Sequence, residues 1–152
     1  MKIAWIYLDK HAAAVSAVKD YPAMCYILEN HSDDIADTRS RMTAVSSGIP
    51  DGLPLKPDPH AFENMLAASL DEIDVLKERY RRALEYMEWF KPAWAVLSED
   101  EQFILSELFM RNDISKAEAV SNVGARLVLE RSHVYRRKDR AVSHLALLLY
   151  GK

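Results

Sequence analysis

The sequence predicts an all-α fold, with an N-terminal helical hairpin followed by a domain of three short helices, on three observations. Period-two alternation and clusters of β-branched residues are scarce along the 152 residues, so strand signals are weak. Apolar residues recur at helical spacing in two long stretches separated by a Pro/Gly-rich segment. Two Ser-x-x-Glu sequences in the last third have the form that starts a helix.

Met1 to Leu8 is apolar, with Trp5 and Tyr7, but too short to classify and too poor in positive charge for a secretory signal. No apolar run approaches the roughly 18 residues needed to span a bilayer. A cytoplasmic protein without membrane contact is therefore expected. His11 to Asp20 can form a short helix ended by Tyr21-Pro22. The first arm of the hairpin follows, with Met24, Leu28, His31, Ile35, Thr38, Met42 and Val45 at 4,3 spacing. Cys25 is the only cysteine, which rules out an internal disulfide and a cysteine-based zinc site and points to a buried structural thiol.

Four prolines (Pro50, Pro54, Pro57, Pro59) and two glycines (Gly48, Gly52) make residues 46–59 a loop, because proline fixes φ and removes a backbone donor. The second arm places Phe62, Leu66, Ser69, Ile73, Leu76, Tyr80, Ala83, Met87 and Phe90 along one seam, the pattern that faces a partner helix. That seam can be satisfied within the chain or between the two chains of a homodimer. Lys91-Pro92 should stop this helix, with Trp89 and Trp94 packing the joint. The expected organisation is residues 1–92, helix and hairpin, followed by residues 93–152.

Ser98-Glu99-Asp100-Glu101 reads as a capping box opening a helix with Phe103, Ile104, Leu108 and Phe109. Ser115-Lys116-Ala117-Glu118 reads as a second, opening a helix with Val120, Val123 and Leu127 inward. A break near residues 128–131 precedes a third helix carrying Val134, Ala141, Val142, Leu145, Leu148 and Leu149, and Leu129 within the break is expected in the core of the arrangement. Three short helices with a tight turn between the last two form a helix-turn-helix arrangement, which sets its final helix into the major groove of duplex DNA. Gly124 supplies the small residue where the two helices cross, and Val134 plugs the core.

The net charge of −3 conceals an asymmetry that bears on this reading. Residues 1–110 carry 11 Lys/Arg against 19 Asp/Glu, a balance of −8, whereas residues 111–152 carry 9 against 4, a balance of +5. Exposed charges act over about one Debye length, ~8–10 Å, so a polyanion would be engaged locally, at the C-terminal end. Arg136, Arg140 and His144 are spaced to share the outward face, with Arg137 beside them. Arg131, Ser132, His133 and Tyr135 fall in the first turns, where side chains reach base edges.

The segment from Ala117 to Leu145, centred on Leu129-Glu130-Arg131-Ser132-His133-Val134-Tyr135-Arg136-Arg137 and followed by Ala141-Val142, resembles the region-four helix-turn-helix of bacterial sigma factors. It is closer still to small sigma-like regulators of phages and prophages of Gram-positive bacteria. The resemblance covers most of the chain loosely and the last ~55 residues with recognisable motifs. It implies that Arg131, Ser132, Tyr135 and Arg136 read bases, that Arg137 and Arg140 hold phosphates, and that RNA polymerase is contacted through its β-flap. His133, from its place in the first turns, is a further base-reading candidate, and Lys116 and Lys138 are further phosphate candidates. Three positions depart from the family pattern: Glu130 where Ser or Thr usually caps, Val128 where the turn often has glycine, and Arg137 where the residue is often apolar. The aromatic, basic promoter-melting segment of a complete sigma factor is also missing.

Two other functions fit the same features. One is a phage packaging or replication factor using the domain without polymerase; the other is a helical interaction adaptor whose basic face is only solvated surface. No catalytic constellation, cofactor motif or metal site is read. His11, His31, His60, His133 and His144 form no HExxH-type pair, no Gly-rich loop follows a strand, and Cys25 has no patterned base.

Overall fold

The computed structural model of the chain describes residues 8–47 and 59–151, and among these every element is helical. They are α1 (Lys10–Ser47), α2 (Ala61–Val96), α3 (Glu99–Leu105), a π-helical turn (Ser106–Met110), α4 (Lys116–Leu127) and α5 (Arg131–Tyr150). Trp5 and Tyr7 lie outside the described residues, as does most of the expected 46–59 loop. Of that loop, Ser46 and Ser47 belong to α1, and Pro59 to the turn before α2.

Two helix ends expected at prolines do not occur. Pro22 lies inside α1 and Pro92 inside α2, so there is neither a separate helix ending at Tyr21-Pro22 nor a stop at Lys91-Pro92. An interior proline costs about 3 kcal/mol through its missing N–H and its clash with the preceding turn. Burial close by offsets that cost: Ala14, Ala17 and Val18 precede Pro22, and Phe90, Ala93 and Leu97 bracket Pro92, all within one hydrophobic cluster. Burying a large apolar side chain contributes about 1.5–3 kcal/mol, so Phe90 and Leu97 together outweigh Pro92, while Val18 with the two smaller alanines offsets much of the cost at Pro22.

Contacts divide the chain into two compact units. One takes the chain up to Met24 together with Tyr86 onward; the other is Cys25–Glu85. This division differs from a boundary at residue 92 because the start of α1 and the end of α2 share their core with the C-terminal helices. Phe90, Leu105 and Leu145 are fully buried there, beside Ala141, Val142, Ala146 and Leu149. Tyr21, Tyr86 and Trp94 ring Phe90, with centroids 5.1–5.5 Å away, and the Tyr86 hydroxyl donates to the Ala17 carbonyl.

Within Cys25–Glu85 the contacts of α1 descend along α2. His31 stacks on Tyr80 at 4.1 Å, and further along α1 both Thr38 and Arg41 donate to Glu72. Antiparallel helices produce this order. The seam is thin: Thr38, Ile73 and Ala83 are buried, while Phe62 is 51% exposed. Cys25 is half-buried rather than buried. No helix among the described residues is long and apolar enough to cross a membrane.

Candidate nucleic-acid interface

The last 55 residues are built outward from their caps. At α3 the full capping box forms: the Ser98 hydroxyl accepts from the Glu101 amide at 3.2 Å, and the Ser98 amide donates to the Glu101 carboxylate at 2.9 Å. The Gln102 side-chain amide donates to the Trp94 carbonyl at 2.8 Å, which at the end of α2 also accepts from the Leu97 backbone amide at 3.2 Å. At α4 only half of the second box is present. Ser115 accepts from the Glu118 amide, while the Glu118 side chain makes no return bond among those of the described residues.

The π-helical turn after α3 turns Glu107 inward, where it is 8% exposed. Its carboxylate accepts from Arg111 and from Asn122 of α4, both at 2.8 Å. A buried carboxylate survives only with such partners. Arg111 also forks onto Asp113, which holds the Asp113 carboxyl below its ordinary range. The π-turn is thereby pinned to α4.

The corner between α4 and α5 is the tightest local structure. Val128 ends α4 in the left-handed region, with φ 55 and ψ 53, and the amides of Val128 and Leu129 both donate to the Gly124 carbonyl. This is the close of a helix by a left-handed residue, with Leu129 folding its side chain back onto the cluster that contains Val123. Gly124 is required by the approach of the turn itself: a Cβ there would lie 2.9 Å from the Leu129 carbonyl oxygen and 3.7 Å from a Val134 methyl. Ile104, Val120, Val123 and Val134 form the buried cluster beneath, flanked by Phe103, Leu108, Leu127, Leu129 and Tyr135.

Anchored in this way, α5 exposes a contiguous polar stripe. Ser132, His133, Arg136, Arg137 and Arg140 are all exposed, while Val134, Ala141, Val142 and Leu145 are buried on the other side. Not every expected residue joins that stripe. Arg131 is exposed but leans over the Tyr135 ring, 6.0 Å from its centroid, and Tyr135 itself is half-buried against the core. Lys138 has a side chain only 22% exposed, 3.2 Å from Asp139 and near the same ring. Lys116 lines a separate groove of about 270 Å³ with Lys19, Phe109 and Arg111.

His144 departs from expectation. It does not share the outward face with Arg136 and Arg140; its Nδ1 lies 2.9 Å from Glu101 Oε1, tying α5 to the capping box of α3. Burial pushes the Glu101 carboxyl upward, but the Ser98 amide and the His144 ring outweigh it and leave the group below its ordinary 4.5.

Two features escape sequence reading. A groove of about 440 Å³ runs along α4, lined by Ala117, Ser121, Gly124 and Ala125 and closed by Leu129 and Arg131. Arg126 sits 4.1 Å over the Phe103 ring, a cation–π contact that spacing alone does not reveal. Comparison with known families, curated proteins and solved structures finds no match to this chain.

Proposed function

We propose that the chain is a sequence-specific DNA-binding transcription regulator whose α4–α5 pair acts as a helix-turn-helix of the sigma region-four-like kind. The observation that carries this reading is the exposed stripe of Ser132, His133, Arg136, Arg137 and Arg140 on a helix whose opposite side is fully buried. Three guanidiniums within five residues supply the charge for phosphate and the fork geometry for guanine O6 and N7. Ser132, small and polar in the first turn of α5, leaves room for base edges, and the exposed His133 ring beside it can reach them. Contact with RNA polymerase belongs to the same proposal and rests on the sequence resemblance.

The test is duplex binding followed by fluorescence anisotropy across a salt series. Log affinity should fall linearly with log salt, with a slope near −0.9 for each phosphate contacted. Arg136→Ala should reduce discrimination between the selected site and scrambled DNA by ~1–3 kcal/mol, and Arg137→Ala should weaken both alike. If simultaneous neutralisation of Arg136, Arg137 and Arg140 leaves affinity unchanged, the proposal is wrong. Co-purification with polymerase core enzyme tests the partner separately.

A further inference from the structure

We propose that Glu130 is a base-selecting residue, whose carboxylate accepts a hydrogen bond from the exocyclic amine of a cytosine in the major groove. The inference rests on α5 being the DNA-reading helix and adds a specificity determinant to it.

Glu130 occupies the N-cap of α5 with extended backbone (φ −71, ψ 156), yet its side chain makes no capping bond. Glutamate carries one methylene more than the aspartate that caps well at this position. By contrast, the Ser98 and Ser115 hydroxyls are both committed to their own helix starts. Neighbouring cations make no ion pair with Glu130 either. Arg131 leans toward Tyr135, Lys138 pairs with Asp139, and no ion pair joins Glu130 to a described residue. The result is an exposed carboxylate, without a capping bond or ion pair among the described residues, at the leading end of a basic helix.

Such a group repels phosphate, so it does not serve as a backbone clamp. In the major groove the hydrogen-bond donors are the exocyclic amines of cytosine and adenine; guanine O6 and N7 and thymine O4 are acceptors that a carboxylate repels. Adenine also presents N7 beside its amine, an acceptor facing the second carboxylate oxygen, whereas cytosine has only a C–H there. Cytosine is the favoured partner. The N-terminal residues of a recognition helix are those that reach base edges, which is where Glu130 lies.

The experiment is selection from a random duplex library by the full chain and by its Glu130→Gln and Glu130→Ser variants, with thermal midpoints recorded to verify folding. Wild type should enrich one position for cytosine by about fivefold or more, the lower range of one good base contact. Glu130→Gln should move that position toward adenine, which glutamine bonds through N6 and N7. Glu130→Ser should flatten it to within about twofold while every other position is kept. Identical base preferences in all three proteins, with a uniform gain in affinity, would show a merely repulsive charge and overturn the inference while leaving DNA binding intact. If wild type enriches no sequence at all, the DNA-reading proposal fails and this one with it.

Discussion

Replacing Val128 by glycine should stabilise the protein, although it deletes an apolar side chain. Val128 is the one non-glycine residue with positive φ among those described, and its branched side chain makes the left-handed region harder to occupy. A non-glycine residue there costs about 1–2 kcal/mol. Little is given up in exchange, because the residue is 88% exposed. Glycine's extra freedom in the unfolded chain removes about 0.5–1 kcal/mol of the gain, which leaves a net stabilisation of roughly 0.5–1 kcal/mol. For a chain of this size that is ~1–4 °C in Tm, measurable by calorimetry together with helical circular dichroism. Val128→Ala separates the causes: alanine keeps most of the left-handed cost and should not reproduce the gain. If glycine lowers Tm, or alanine raises it as much, the strain argument for this corner is refuted.

Three further outcomes follow from the same region. Gly124→Ala should destabilise by about 1–2 kcal/mol despite alanine's higher helix propensity, because its Cβ meets the Leu129 carbonyl at 2.9 Å; DNA affinity should fall with it, as read by anisotropy. Glu107→Ala should cost about 1–3 kcal/mol in urea denaturation, since Arg111 and Asn122 lose their shared acceptor. The lowered Glu101 carboxyl stabilises the fold fully above its unfolded value of about 4.5, and that contribution disappears as pH falls through the lower folded value. The Glu101→Gln variant should therefore show a shallower loss of stability below pH 4.5 than wild type, and an unchanged acid limb would count against the pairing with Ser98 and His144.

Helical class was legible because local signals agreed. Ser98 and Ser115 both cap, the break at Val128 falls where the apolar spacing is interrupted, and Val134 is buried ten residues beyond Gly124. What failed were inferences from single residues whose cost is offset at a distance. Pro22 and Pro92 read locally as stops, and only the shared core of Val18, Phe90 and Leu145 explains why the helices continue. His144 fits the i, i+4, i+8 rhythm of the basic stripe, but Glu101, 43 positions earlier in the chain, draws it aside. No local pattern encodes such a partner. In the candidate interface, spacing identified the exposed arginines, whereas the inward turn of Lys138 toward Tyr135 and Asp139 depends on packing.

The stripe on α5 lies between two anchors, and this bears on what it can do. Val134 belongs to the cluster with Ile104, Val120 and Val123, whereas Ala141, Val142, Leu145 and Leu149 belong to the cluster built on Phe90 and Leu105. Ser132 to Arg140 thus span the junction of two cores, held by the α4 corner at one end and by α1 and α2 at the other. A single-cluster anchor would leave the far end of α5 free to fray, and base readout requires side chains placed to within about 0.5 Å. The interior proline kept within α2 has a physical role on this view. Continuing past Pro92 brings Ala93 and, just beyond the helix, Leu97 into the second anchor beside Phe90, so the cost of that proline is spent on fixing the helix proposed to read DNA.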